Sequence, residues 1–330
     1  MKMNTGLYMM ALCLAGSLTV ATDIQAQTGQ SRKLLALSKA DHTLAVVDPV
    51  SLKVLAKMPV GADPHEVIAS TDGKMAYVSN TGGGRFHVMN VIDLVAQKTI
   101  DSIDTAPLMG PHGLAFADGK LWFTAEGSKA VGRYDPVLKK VDWAMGTGQN
   151  RTHMVEVTKD GQHVYTTNVD GGTVSLFNKV NMDWAQTVVS TAKGVEGFDI
   201  TPDGKEIWAV AAENGSIYII DTASKAVIKT LDAKAVGANR LRITYDGKLA
   251  LITSLRTGEL VIYDVKTRKE LKRLKAGTGA AGLLIDLDNT RAFVACSPDN
   301  YVAVVNLKTL EVITHIDVGG KPDGLAWALE

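Results

Sequence analysis

The sequence predicts an all-β chain, a seven-bladed β-propeller of four-stranded blades, and three observations carry that reading. A turn signal returns at a nearly fixed interval, the segments between turns alternate apolar and polar residues, and the first and last copies of the repeat are each incomplete in a complementary way.

The turn signal comes first. Asp72-Gly73, Asp118-Gly119, Asp160-Gly161, Asp203-Gly204, Asp246-Gly247 and Asp288-Asn289 are spaced by 46, 42, 43, 43 and 42 residues. Asp-Gly between alternating runs predicts a hairpin whose two central residues both take positive φ. The loop TGGGRFHV, Thr81 to Val88, accounts for the longest spacing. A second register closes an apolar strand with Asp48, Asp93, Asp135, Asn178, Asp221, Asp264 and Asn306, seven copies against six turns.

The surplus copy lies at the start, where the segment from Ser31 lacks an opening strand. Gly319 to Glu330 supplies that strand and then stops. Joining the two completes a seventh unit of about 43 residues, the length of four short strands, and a closed ring removes the exposed edge of an open array. No stretch sustains the 3.6-residue period of a helical solenoid.

Residues 1–26 read as a cleavable secretory signal: Lys2, an uncharged, mostly apolar run from Leu7 to Val20, and a small-residue region ending at Ala21 or Ala26. The run is shorter than the roughly 18 to 20 residues of a membrane span. The expectation is a periplasmic or secreted protein whose propeller occupies residues 27–330, with no membrane span. Cys13 lies inside the signal and follows Leu12, not the small residue of a lipid-attachment site; Cys296 is then the single mature cysteine, and no internal disulfide can form. Lys plus Arg and Asp plus Glu number 35 each, so no net field draws the chain to nucleic acid.

YVSN at Tyr77 to Asn80, YTTN at Tyr165 to Asn168 and IDTASKAVIKTL at Ile220 to Leu231 resemble the YVTN family of seven-bladed propellers. The resemblance covers all seven units; it implies an exported binding or surface module, one relative being associated with single-stranded DNA. The third unit, GPHGLAFADGKLWFTAEGSKAVGRYDP, resembles the repeat of the streptogramin lyase family, which implies His and Glu side chains around a magnesium ion over the channel. That family places Glu directly after Trp-Phe-Thr, whereas Ala125 here precedes Glu126.

The residue seven before each turn Asp enters the first strand of its blade from the upper face. Around the ring this position holds His65, His112, His153, Glu196, Asn239, Ala281 and Asp323, the third blade being one residue shorter. His65, His112, His153 and Glu196 are the candidate ligands of a divalent zinc, copper or iron ion. His153 is also a candidate general base near neutral pH, with Glu196 as its orienting partner. Asn239 and Asp323 from the ring, with Arg151, Arg240 and Arg256 from nearby loops, are candidate ligand-binding residues, the arginines as anchors for an anion. His42, His87, His163 and His315 share no register, and Gly82 to Arg85 lacks the ending of a phosphate loop.

With no complete catalytic motif, the leading expectation is a periplasmic binding or scaffold module offering this channel mouth to a small ligand or protein partner. The alternative is a metal-dependent lyase or hydrolase built on the same cluster.

Overall fold

The computed structural model describes residues 31–329; the predicted signal at residues 1–26 and the start of the mature chain near Gln27 lie outside them. Its strands form seven four-stranded antiparallel sheets. The first blade is the split one: Pro322–Leu329 pairs with Arg32–Ser38, followed by Thr43–Val47 and Val54–Pro59. The other six run in chain order, each a meander from an inner strand outward. The inner strands are Pro64–Ala69, Pro111–Ala117, Thr152–Val157, Val195–Ile200, Ala238–Ile243 and Ala280–Ile285. Together with Pro322–Leu329 they contact one another in a closed ring.

The core is divided between blades. Each neighbouring pair of sheets encloses its own cluster of buried side chains, such as Trp208, Ile219, Leu241 and Val261 between the fifth and sixth blades. The other six junctions are filled in the same way. This is why the second strand of a blade, such as Lys120–Ala125 or Glu206–Ala211, is buried on both faces, while the fourth strands, facing solvent on one side, alternate.

The turns differ from the sequence expectation in a regular way. Only the third blade has the two-residue hairpin, with positive φ at both Asp118 (49°) and Gly119 (67°). In the second blade a five-residue loop joins Ala69 to Met75, and only Gly73 has positive φ. There Ser70 Oγ donates to Asp72 Oδ1 (2.6 Å), which also accepts the Lys74 N–H. The aspartate therefore works through its side chain, as in an Asx turn. The shorter hairpin is the reason the third blade is one residue short.

Every inner strand carries a register shift at the same point: between Pro64 and Val67, Pro111 and Leu114, Thr152 and Val155, and likewise in the other four. One extra residue in the inner strand makes a β-bulge, which bends the strand and redirects a side chain. The first residue of each bulge is the channel position read from the sequence.

Candidate functional site

The seven bulges place His65, His112, His153, Glu196, Asn239, Ala281 and Asp323 around one cavity of about 320 Å³, together with Lys39, Arg151, Arg240 and Lys321. The bulges are held by a hydroxyl in the neighbouring strand. Thr124 Oγ1 accepts the Gly113 N–H (2.8 Å) and donates to the carbonyl of His153 in the next blade (2.5 Å). Ser79 links Glu66 to His112 in the same way, and Thr167 links Met154 to Glu196. Thr253 repeats the bridge from Arg240 to Ala281. His112, His153 and Glu196 thus have their backbones tied to the preceding blade; Leu37 occupies the equivalent position before His65.

The three imidazoles stand side by side. His112 lies 4.0 Å from His153 and 4.8 Å from His65, centroid to centroid. Burial drives His112 well below the usual histidine range, and the neighbouring His153 adds to that, so the ring is neutral. Its Nδ1 is buried without a hydrogen-bond partner, and so is His153 Nε2. His153 Nδ1 donates to Glu126 Oε1 at 2.5 Å, and Arg151 Nε reaches the same oxygen at 3.4 Å. Burial pushes the Glu126 carboxyl upward, but the His153 hydrogen bond and the Arg151 charge outweigh it and hold the group below its ordinary value. On the other side of His153, Glu196 Oε2 stands 4.0 Å from Nε2 and accepts from Asn239 Nδ2 (2.6 Å).

Among the described residues, His112, Glu126 and His153 form the group whose ligand atoms all approach within 4.8 Å. Of the other two expected ligands, Glu196 lies outside that group but stays 4.0 Å from His153 Nε2, whereas His65 is engaged elsewhere. Lys39 Nζ lies 2.8 Å from His65 Nε2, and Asp63 Oδ1 lies 3.1 Å from the same atom. An ammonium on that nitrogen opposes a metal ion there. Glu196 stays within reach of His153 Nε2 and accepts from Asn239, while the hydrogen bond at His153 Nδ1, expected of Glu196, is made by Glu126. Glu126 follows the Trp-Phe-Thr-Ala stretch by one residue, and a comparison of that rim position across blades is the signal that would have found it.

The arginines separate. Arg151 is half-exposed at the rim, between Glu126 and Asp170. Arg240 is buried and pairs across the channel with Glu66, closing the floor of the cavity. Arg256 is exposed and outside the cavity lining, its β-carbon covering Gly237. Below this floor, Arg242 pairs with Glu156 at 2.5 Å, and burial pushes nearby Asp199 up to about 6, against the pull of Arg242. Cys296 is buried, with its thiol pushed up to about 12 by burial, which makes it inert.

No family model matches the chain, and no curated protein matches it. Solved structures do. Hydrazine synthase of Kuenenia stuttgartiensis is 17% identical with a TM-score of 0.70, over 80% of this chain and 89% of that one. A protein of unknown function from Desulfotomaculum acetoxidans is 12% identical with a TM-score of 0.74, over 90% and 99%. A candidate 6-phosphogluconolactonase from Bacteroides fragilis is 15% identical with a TM-score of 0.73, over 91% and 99%. At these identities the likeness is one of fold. Among the described residues no helix is long and apolar enough to cross a membrane.

Proposed function

We propose that this is an exported propeller that binds a divalent transition metal through His112, His153 and Glu196 and acts on a small ligand in the cavity above it as a hydrolase or lyase. The observation that carries the reading is the pair of buried imidazole nitrogens, His112 Nδ1 and His153 Nε2, left without partners beside a carboxylate. Buried polar atoms in a well-packed site are paired, and orphans call for an ion or a water. Two ligands about 2.1 Å from a tetrahedral ion stand roughly 3.4 Å apart, so the 4.0 Å between His153 Nε2 and Glu196 Oε2 needs only a small adjustment.

The donor set suits zinc, iron or copper better than the magnesium of the lyase resemblance, because magnesium takes oxygen ligands. Such an ion, when bound, polarises a carbonyl or lowers the pKa of a bound water. The chain's own part is orientation. Glu126 fixes the proton of His153 on Nδ1 and turns Nε2 toward the cavity, the arrangement of a carboxylate behind a metal-bound histidine. Asn239 holds Glu196, and the Arg240–Glu66 pair shuts the channel below. A binding module without chemistry would use the same cavity but gives no reason for two unsatisfied nitrogens.

The short Glu126–His153 bond supports a second reading, in which His153 Nε2 takes a proton from water with no metal present. The two are separated by metal analysis of the mature protein purified without a histidine tag. About one ion per chain, lost in folded His112→Ala and His153→Ala variants, is expected; metal-free protein that still turns over a substrate would replace the first reading with the second.

A further inference from the structure

The cavity has a high side and a low side, and the difference points to what sits in it. Two residues of each blade form its rim, joined by one repeated backbone bond: Lys39 N–H to Lys321 O, Glu126 to Gly110, Val169 to Arg151, Leu255 to Gly237, and so on around the ring. The accepting residue has positive φ in six blades. Four blades place glycine at this rim position, Gly110, Gly194, Gly237 and Gly279; the first, second and fourth instead hold Lys321 (φ 51°), Asp63 (52°) and Arg151 (57°). A side chain there strains the backbone where glycine would not.

Polar side chains therefore crowd the first four blades. Over the fifth to seventh the rim falls to glycine and to Ala212, Leu255 and Ser297, and the channel position drops from Glu196 to Asn239 to Ala281. Leu255 is 46% exposed at the cavity edge. Over the sixth and seventh blades a ligand meets Leu255 and Ala281, with Asn239 and Ser297 beside them; over the first four it meets charge.

The ion pairs narrow the ligand further. Lys39 is paired with Asp63 and Asp323, Arg151 with Glu126 and Asp170, and Arg240 with Glu66. Lys321 lines the cavity and forms no ion pair among the described residues, so its ammonium is free to meet an anion. We propose, resting on the metal reading above, that the ligand is a small monocarboxylate with a short apolar tail. Its carboxylate faces the histidines and Lys321, and its tail lies over the sixth and seventh blades against Leu255 and Ala281.

The test is calorimetric titration of zinc-loaded protein with straight-chain carboxylates from acetate to hexanoate and with their neutral amides. Affinity should climb about fourfold for each methylene that enters the cavity, with the amides at least tenfold weaker. Leu255→Ser should flatten the climb without changing acetate affinity or zinc content, and Ala281→Glu should block the whole series while zinc stays bound. A flat series, amides equal to acids, or no binding to zinc-loaded protein would overturn the proposal and leave the metal reading standing. If the protein takes up no zinc, the metal reading fails by itself; the series on the metal-free protein then decides the seat, a climb keeping it and a flat line removing it.

Discussion

Glu126 shows how one side chain can govern a site it does not line: it fixes the tautomer of His153 and leaves Nε2 as the open atom. Replacing Glu126 with Gln keeps the shape but removes the charge, and metal affinity should fall about 10- to 100-fold with the fold intact, as measured by competition with a chelator. Beneath it, Arg240 and Glu66 are a buried ion pair. Arg240→Met strands Glu66 and should cost about 3 to 5 kcal/mol in urea unfolding, whereas Glu66→Leu with Arg240→Met should recover most of that. Asp199 gives a pH dependence of known sign. Burial raises its pKa from 3.8 to about 6, so the folded chain keeps a proton that the unfolded chain releases earlier. Its contribution is fully present below 3.8 and declines as pH rises through about 6. Melting temperatures of wild type and Asp199→Asn across that range should diverge, the variant lacking the decline.

At the scale of the element, the bulge does the aiming and the hydroxyl does the fastening. Thr124→Val preserves volume but strands the Gly113 N–H and the His153 carbonyl, and should lower stability by about 1 to 3 kcal/mol in urea unfolding. It should also weaken metal binding, which a purely structural bond elsewhere in the blade would not do. This level also shows what the sequence made legible. The channel ring could be read in full, because a repeat fixes where each strand begins and hence where its first side chains point. The ion pair between Arg240 and Glu66 could not, since it joins blades that face each other across the channel and no spacing within the chain encodes that distance. Glu126 escaped for a different reason: it stands on the second strand's exit, and attention to first-strand residues passes over the rim. The turns were placed correctly but their geometry was not, because Asp-Gly serves both a two-residue hairpin and a longer Asx-capped loop.

For the whole molecule, closure rests on one strand. Pro322–Leu329 is the inner strand of the first blade, and it contacts the inner strands on both sides as well as its own sheet. Ending the chain at Gly319 should leave a protein that fails to fold, as read by loss of a cooperative melt and by rapid proteolysis, and adding the missing segment as a separate peptide should restore protection. The same strand carries Asp323, and Lys321 stands just before it. Because it is made after every other described strand, a ribosome releases all of the outer framework before this part of the cavity exists. The blades can collect in order as they emerge, but the chamber at their centre comes into being only at the last step. A chain interrupted anywhere earlier carries the histidines without the chamber that would put them to use.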